Sequence, residues 1–481
     1  MLESLEPQSV WKNFSGLNAI PRASKKEEQI AAWVRQFGQS LGLEVLSDET
    51  GNVVIKKPGQ GKGVNAPVVI MQAHLDMVHQ KNADTDFDFD TQGIEMYIDG
   101  EWVKAKGTTL GADNGMGAAY ILTVLEDKTL DHPPIEALFT LDEEAGMTGA
   151  KTLGPGMLDG KILLNLDTED EREITIGCAG GIDTNVTMDL KMEDCPNNTK
   201  AYYLTVKGLQ GGHSGMDIHL GRGNANKILF RLLYQGYSKF QMRIAGIDGG
   251  GLRNAIPREA FASVVVDITK AGEFEQHILH LGNEIKKELR TTDPHLDIHL
   301  ETAAIPTEVL DVTTQVKITR AIYSLPNGVF RMSADIPGLV ETSSNLARVL
   351  IKNGQLLSQS LQRSSVESAK MDIANAVRAA FEQIGAAVEN AGDYPGWKPE
   401  PESGLLKHAI EVYHTVFNRE PDVNACHAGL ECGIINGRYP GLDMISIGPD
   451  IRGAHSPDER VRIASVENFW NYLKALLSSL S

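Results

Sequence analysis

Three short, strongly apolar runs constrain the fold of this chain more than any other feature. They are VVIM (68–71), IEALFTL (135–141) and KILLNL (161–166). Runs of this kind are typical of parallel strands covered by helices on both faces, whereas a strand with one solvated face alternates apolar and polar residues. Helical periodicity over residues 25–43 and 114–127 supplies helices for such a sheet. The sequence therefore predicts an α/β domain with a mostly parallel sheet covered by helices.

The pattern changes after residue 183. Strand-like segments at 183–191, 201–208, 261–269 and 296–304 alternate with helix-like segments at 224–237 and 274–290, and a long helix is predicted over 365–392. A Pro- and Gly-rich segment follows at 393–404, after which the α/β pattern returns. We therefore predict a first domain formed by residues 1–183 and 397–481, interrupted by an inserted α+β domain over 184–396. The size of the insert would accommodate two similar subdomains.

Charge and cysteine content narrow the classes of partner and compartment. The chain has 45 Lys and Arg against 64 Asp and Glu, a formal net charge of -19. Such an acidic surface repels nucleic-acid phosphates and anionic lipids, so neither nucleic acid nor membrane is expected as a partner. The four cysteines are scattered, and the first residues have neither the basic nor the apolar region of a secretion signal. The sequence predicts a cytoplasmic protein.

Chemically active side chains follow the predicted strands. These residues are His74 and Asp76, Glu143 and Glu144, Asp167, and His455 in the loop after DMISIG (443–448), with Asp113 at a predicted helix start. Each has an ordinary structural interpretation by itself; Asp113, for example, could cap the helix. In open α/β sheets, however, working residues lie beyond the carboxyl ends of the strands. Their repeated occurrence there predicts a shared site.

Charge counting suggests what that site could hold. The candidate ligands are His74, Asp113, Glu144, Asp167 and His455. Around two divalent ions, three carboxylates and two neutral imidazoles leave a charge of +1, which a bridging hydroxide would cancel. One catalytic zinc usually takes three protein ligands, so five favour a dinuclear site. Asp76 could then orient His74, and Glu143 could take a proton from the attacking water.

Six motifs resemble those of the M20 metallopeptidase family in order and spacing, and together they cover most of the chain. They are HLD, GADNGMG, LDEEAGMTGA, LNLDTED, GAHSPDERV and GGHSG. The resemblance implies that Asp113 bridges two zinc ions, that His74 and Asp167 complete one site, and that Glu144 and His455 complete the other. It also implies Glu143 as general base and acid, Asp76 as the orienting carboxylate, and a cis peptide bond between Asp113 and Asn114.

The same resemblance gives the inserted domain the role of a lid. It implies that His213 stabilises an oxyanion, that Asn254 holds the substrate amide, and that Arg363 binds the terminal carboxylate of the substrate. Whether these residues serve their own chain or a neighbouring one stays open at this stage. A homodimer is the default expectation, because dimers are the commonest oligomers.

The function implied by the resemblance is metal-dependent hydrolysis of dipeptides with a free amino terminus, including Xaa-His peptides such as carnosine. The expected cofactors are two divalent ions per chain, zinc first, with cobalt or manganese as alternatives. An N-acyl-amino-acid deacylase on the same scaffold and a non-catalytic metal-dependent binding protein are the other hypotheses. The segment NACHAGLEC (424–432) matches no zinc module, and His427 or Glu431 within it could contact the amino end of a substrate.

Overall fold

A computed structural model describes residues 2–481 of the chain. These residues form two compact units. The split unit consists of the described residues through Gly177, Trp397–Ala425 and Leu430–Ser481, and the inserted unit consists of Cys178–Gly396 and Cys426–Gly429. The predicted boundaries at 183/184 and 396/397 stay predictions; the inserted unit begins a few residues earlier and also takes four residues near 426.

The first part of the split unit alternates helices and strands as predicted. Its helices are α1 (Gln8–Asn18), α2 (Glu28–Ser40), α3 (Ala112–Glu126), α4 (Glu143–Gly146) and α5 (Thr148–Thr152). Its strands are β1 (Glu44–Ser47), β2 (Val53–Lys57), β3 (Val69–His74), β4 (Met96–Asp99), β5 (Trp102–Ala105), β6 (Ile135–Thr140), β7 (Ile162–Asn165) and β8 (Glu173–Cys178).

The inserted unit contributes the next elements along the chain. Its strands are β9 (Gly180–Asp189), β10 (Met192–Asp194), β11 (Thr199–Lys207), β12 (Gly212–His213), β13 (Arg243–Gly250), β14 (Ala255–Ile256), β15 (Ala260–Asp267), β16 (Asp297–Thr302), β17 (Glu308–Leu310), β18 (Gly328–Met332), β19 (Val340–Lys352), β20 (Gln355–Ser364) and β21 (Ala387–Tyr394). Its helices are α6 (Ala225–Phe240), α7 (Ala271–Glu288), α8 (Val312–Ser324) and α9 (Glu367–Glu382).

The chain then returns to the split unit. The last elements are α10 (Gly404–Phe417), β22 (Asp422–Cys426), α11 (Glu431–Arg438), β23 (Asp443–Ser446), β24 (Ile451–Arg452), β25 (Arg460–Arg462) and α12 (Ile463–Ser479). Short 3-10 helices occupy Leu2–Ser4, Gly61–Asn65, Ile218–Leu220 and Ile268–Lys270.

An eight-stranded sheet in the order β1-β2-β6-β3-β7-β23-β8-β22 forms the centre of the split unit. The strands β6, β3, β7 and β23 are parallel, whereas β1 and β2 pair antiparallel, as do β2 and β6 and also β23 and β8. Every residue of β3 and β6 is buried, which explains the apolar runs. The predicted α/β class with an inserted α+β domain is confirmed; the parallel part is the middle of a mixed sheet.

The inserted unit contains a nine-stranded sheet in which β16, β11, β15, β13, β19, β20, β9 and β21 are neighbours in that order, and β18 pairs with β19. One continuous apolar core includes Leu229 of α6, Phe274 of α7, Ile322 of α8 and Phe381 of α9. The expectation of two subdomains stays a prediction; nine strands of the inserted unit belong to this one sheet.

One local prediction was wrong, and one alternative interpretation does not hold. The helix predicted over 365–392 ends at Glu382, because Gly385 has a φ of 84° and residues from Ala387 pair with β9. Asp113 does not cap α3: the cap position is Gly111, and Asp113 has a non-helical ψ of 109°. None of the helices between residues 2 and 481 combines the length and the hydrophobicity that a bilayer-spanning helix needs.

Candidate metal centre and active site

The register of the parallel strands brings three predicted groups to one edge of the sheet. Gln72 of β3 lies beside Leu138 of β6 and Asn165 of β7, so these strands end close together. The candidate residues lie at or after those ends: His74 ends β3 and Asp76 follows it, Glu143 and Glu144 follow β6, and Asp167 follows β7. This placement follows from strand register alone.

Asp113 occupies the middle of the cluster. Its Oδ1 lies 3.1 Å from Nε2 of His74, and its Oδ2 lies 3.2 Å from Nε2 of His455. The same His74 nitrogen is 3.5 Å from Oδ1 of Asp167, and the same His455 nitrogen is 3.1 Å from Oε2 of Glu144. The peptide bond from Asp113 to Asn114 is cis, as the resemblance implied. The two carboxylate oxygens of Asp113 thus face two different groups of side chains.

These two groups fit divalent cations. The ligand atoms of His74, Asp113 and Asp167 lie within 4.8 Å of one another, as do those of Asp113, Glu144 and His455. Atoms that share a tetrahedral zinc through bonds of about 2.0–2.1 Å lie about 3.3 Å apart, close to the separations found here. In addition, Oε1 of Glu144 is buried with no hydrogen-bond partner among the described residues. The donor set therefore suits zinc or a similar borderline cation.

Asp76 holds two parts of the cluster in place. Its Oδ1 lies 3.3 Å from Nδ1 of His74 and accepts the backbone N–H of Glu143 at 3.0 Å. Its Oδ2 accepts the backbone N–H of Glu144 at 3.1 Å and the hydroxyl of Ser24 at 2.8 Å. Because one nitrogen of His74 faces Asp76, the other is directed at Asp113 and Asp167. A single buried carboxylate therefore orients a histidine and the start of α4 together.

Negative charge accumulates in this centre. Burial raises the pKa of Glu143 well above its usual range, and the charges of Asp167, Glu431 and Glu144 add to that effect. Hydrogen bonds to Asp113 and Glu144 raise the pKa of His455 to about 11. The main causes differ, burial for Glu143 and hydrogen bonds for His455, but in both cases the surrounding carboxylates favour a positive charge that enters the cluster.

The inserted unit presents His213 in a fixed tautomer. The backbone N–H groups of Gly215 and Met216 donate to Nδ1 of His213 at 3.2 and 3.0 Å. A neutral imidazole that accepts at Nδ1 carries its proton on Nε2. Burial lowers the pKa of His213, and the charge of Arg363 lowers it further, which favours the neutral ring. His213 is thus prepared to donate one hydrogen bond from Nε2.

Arg363, on strand β20, is a buried residue of the inserted unit. Its side chain is 5% exposed, and Nη1 donates to the hydroxyl of Tyr394 at 2.8 Å. Its Nε is buried with no partner among the described residues. Ser343 is the cross-strand neighbour of Arg363, and its hydroxyl lies 2.7 Å from Nε2 of His427. A buried guanidinium with free donor capacity is suited to a carboxylate ligand.

Gly215 shows how closely these groups converge. A Cβ built at Gly215 would lie 2.2 Å from the backbone oxygen of His427, 3.1 Å from Cε1 of His213 and 3.2 Å from Nε of Arg363. Asn254 precedes β14, which pairs with β12, and its backbone oxygen accepts the N–H of Ser214 at 2.8 Å. The structure therefore brings His213 and Arg363 together, with exposed Asn254 on the adjoining turn.

Several residues with evident roles were missed from the sequence. Arg22 and Glu459 are buried beside the metal cluster, and Tyr394 holds Arg363. Glu431, by contrast, was named from the sequence as a possible substrate contact; it is fully buried, accepts from Gln72 at 2.7 Å, and burial raises its pKa to about 7. Glu459 lies within the motif GAHSPDERV, so a signal was available for it; the others lie outside the motifs that define the cluster.

Comparison with known proteins agrees with this geometry. Residues 70–479 match peptidase family M20/M25/M40. The cytosol non-specific dipeptidase of Escherichia coli (strain K12) is 42% identical over 479 residues, which are 100% of this chain and 99% of the relative.

Two solved structures extend the comparison. An aminoacylhistidine dipeptidase from Vibrio alginolyticus superposes with a TM-score of 0.94 at 42% identity, covering 100% of this chain and 98% of the other. An aminopeptidase PepT from Bacillus cereus superposes with a TM-score of 0.57 at 16% identity, covering 99% of each chain, a likeness of fold alone.

Proposed function

Because this chain belongs to peptidase family M20, we propose that it is a dipeptidase that hydrolyses dipeptides with a free amino terminus. The observation that carries the proposal is the cluster in which the two oxygens of Asp113 face His74 and His455 separately. The two full-length relatives, whose names specify a non-specific dipeptidase and an aminoacylhistidine dipeptidase, support dipeptides as the substrate class, Xaa-His peptides such as carnosine included.

Two divalent ions would complete this centre, zinc first, with cobalt or manganese as alternatives. In this proposal Asp113 is shared by both ions, His74 and Asp167 hold one, and Glu144 and His455 hold the other. When bound, such ions polarise the peptide carbonyl and lower the pKa of the attacking water. The excess of carboxylates and the separations between ligand atoms support this assignment.

Glu143 is the proposed proton carrier. It follows β6 next to the ligand Glu144, and burial raises its pKa, which favours a carboxyl group that can return a proton as well as accept one. It would take the proton of the attacking water and deliver it to the leaving amine. Asp76 would hold Glu143 and Glu144 in position, because it accepts the backbone N–H groups of both residues.

Three residues of the inserted unit are proposed substrate contacts. His213 would donate from Nε2 to the developing oxyanion, supported by its two backbone donors at Nδ1. Arg363 would bind the terminal carboxylate of the substrate, supported by its burial and free donor capacity. Asn254 would bind the substrate amide, supported by its position directly before Ala255, the cross-strand partner of His213.

A cytoplasmic location and a homodimeric state belong to the same proposal. The location is supported by the printed name of the Escherichia coli relative, a cytosol dipeptidase. The homodimer follows only from the prevalence of symmetric dimers among oligomers, and light scattering after size-exclusion chromatography would test it.

The decisive experiment compares a dipeptide that has a free amino terminus with the N-acetylated form of the same dipeptide. Release of free amino acids is measured from Ala-His and from N-acetyl-Ala-His. Each substrate is tested with zinc-loaded protein, chelator-stripped protein and Glu143→Gln, a variant that keeps the shape of the side chain but cannot carry the proton. A surface variant, Glu402→Gln, in an exposed ion pair with Lys407, controls for preparation.

Each outcome selects one hypothesis. Metal-dependent cleavage of Ala-His alone, lost in Glu143→Gln and kept in Glu402→Gln, establishes the dipeptidase. Preference for the acetylated substrate would instead establish the N-acyl-amino-acid deacylase. Absence of turnover with both substrates in a protein that still binds divalent ions would overturn the dipeptidase proposal in favour of a binding protein.

A further inference from the structure

The carboxylate of Glu459 is surrounded by backbone donors. Its Oε2 accepts the N–H groups of Leu110 and Gly111 at 2.7 and 2.9 Å, and its Oε1 accepts those of Ala112 and Asp113 at 2.7 and 3.2 Å. The side chain is 2% exposed. One buried carboxylate therefore fixes four successive backbone units, the last of which carries the side chain shared by both groups of the metal cluster.

A buried arginine holds the same loop from its carbonyl side. Arg22, 3% exposed, donates through Nη1 to the backbone oxygens of Leu75 and Asp76 at 3.1 and 3.2 Å. Its Nη2 donates to the backbone oxygen of Gly111 and to Oδ1 of Asn18. Arg22 thus ties the segment that follows His74 to the segment that precedes Asp113.

Gly111 is the point where these two residues meet. Its N–H donates to Glu459, and its carbonyl accepts from Arg22. Its φ is 69°, and a Cβ built there would lie 2.4 Å from Nη2 of Arg22 and 2.8 Å from Sδ of Met77. Glycine is required both by this conformation and by the close approach of the guanidinium.

We propose that Arg22 and Glu459 are positioning residues for the divalent-metal centre. Together they fix the backbone of Gly111–Asp113 against the end of β3, so that Asp113 presents one oxygen to His74 and the other to His455. Neither residue contributes an atom to the groups of candidate ligands. The inference rests on the proposed ligand assignment, and it concerns metal affinity rather than turnover.

The sign of the Arg22 effect separates positioning from simple electrostatics. Arg22 is a cation beside an acidic centre, so electrostatics alone predicts that Arg22→Met tightens binding of another cation. Positioning predicts the reverse, because the loop that carries Asp113 loses its anchor. Similarly, Glu459→Asp keeps the charge but shortens the side chain, so positioning alone predicts weaker binding in that variant.

The experiment measures zinc affinity by competition with a chromophoric chelator, together with the thermal unfolding of the metal-free protein. The test variants are Arg22→Met, Glu459→Asp, Glu459→Gln and Gly111→Ala. Glu136→Gln is the control for Glu459, since Glu136 is a 2% exposed carboxylate that accepts the N–H groups of Asp159 and Gly160. Gly100→Ala is the control for Gly111, with a φ of 61° and no neighbour within 4 Å of a built Cβ.

The expected result is a loss of zinc affinity of about 10- to 100-fold in each test variant that folds, the range typical when groups that orient metal ligands are removed. The two controls keep wild-type affinity, whatever their unfolding temperature. Folded test variants that bind zinc as tightly as wild type, or tighter binding by Arg22→Met, would overturn the inference. If no test variant other than Gly111→Ala folds, that variant and Gly100→Ala decide the question.

Failure of the inference can be told apart from failure of the proposed ligands. Wild-type protein that binds no divalent ion would refute the ligand assignment itself. Wild-type protein that binds zinc, together with folded variants of unchanged affinity, would leave the ligands in place and refute only the positioning role.

Discussion

The split unit holds an acidic centre that includes Glu143 and Glu431, and the inserted unit holds a basic cluster formed by His213, Arg363 and His427. Burial shifts the pKa values in these two regions in opposite directions. In the first, burial raises the pKa of carboxylates such as Glu143 and Glu431. In the second, burial lowers the pKa of His213, and it lowers that of His427 to about 3. The cause is the same in both units, since a buried site disfavours whichever form carries charge.

The difference indicates what each unit lacks. The acidic centre has carboxylates without enough cations, and the basic cluster has a guanidinium whose described partner is a neutral tyrosine hydroxyl. Buried charges are normally paired, so each region is suited to a ligand of opposite sign. A metal ion suits the first, and a carboxylate suits the second. The following predictions test this contrast, beginning with the largest expected effect.

Glu143→Gln is expected to reduce kcat by about 10²- to 10⁴-fold, the usual contribution of a positioned general acid and base. Zinc content should stay at the wild-type level, because the proposed role is proton transfer rather than ligation. Steady-state kinetics and metal analysis of the same preparation provide the measurement. Since Glu143 also lies within ligand distance of His74 and Glu144, a simultaneous loss of metal would contradict the assignment.

Removal of metal should destabilise the acidic centre and leave the basic cluster unaffected. With the ion present at about 1,000 times its Kd, its loss costs about 4 kcal/mol of folding free energy. Hydrogen exchange with and without chelator should show lost protection in peptides covering 69–76 and 110–117. Peptides covering 355–364, the strand that carries Arg363, serve as the internal control. Equal losses of protection in the two sets of peptides would contradict the proposed difference between the acidic centre and the basic cluster.

Arg363→Met should lower kcat/KM for a dipeptide about 10- to 100-fold, because a charged hydrogen bond is worth about 1.5–3 kcal/mol. For a dipeptide with an amidated carboxyl end, the same variant should lower kcat/KM only slightly, since that substrate lacks the charge that Arg363 would bind. Arg231→Met, which removes an exposed ion pair with Glu288, is the matched control. Equal losses for both substrates would assign Arg363 a structural role instead.

His427 should make folding stability depend on pH. Its folded pKa is about 3, and an unfolded histidine titrates near 6.5, so between these values the unfolded chain binds more protons. Stability should therefore fall as pH decreases from about 6.5 towards 3, by up to about 1.4 kcal/mol per pH unit from this group. The free energy of unfolding, measured with denaturant at several pH values, should change less with pH in His427→Gln than in the wild-type protein. An equal change with pH in both proteins would exclude a buried neutral histidine.

The sequence was informative where chemistry and local pattern coincide. His74, Asp76 and Asp167 follow apolar strands directly, so the α/β pattern placed them at one sheet edge before any coordinates. His455 was placed less directly, since it lies in the loop after DMISIG (443–448) rather than at the end of a strand.

The inserted unit was less predictable because its strands bury polar side chains. β19 and β20 carry Ser and Thr residues that interrupt the apolar pattern of a buried strand, yet Thr342 and Ser364 pair their hydroxyls at 2.9 Å. Likewise Gln362 donates to Ser344 at 3.3 Å and accepts from Thr184 at 2.7 Å. Cross-strand hydrogen bonds satisfy these groups inside the sheet, and no local window of sequence shows them.

By itself the sequence determined the fold class, the family and the identity of the candidate ligands, since apolar periodicity and short motifs are local properties. Only the tertiary structure showed that Asp113 faces two histidines, that His213 carries its proton on Nε2, and that Arg22 and Glu459 hold Gly111 from both sides. Apart from the local turn that fixes His213, these features depend on contacts between residues far apart in the chain. Such contacts exist only in the folded chain, where the register of the sheet brings distant segments together.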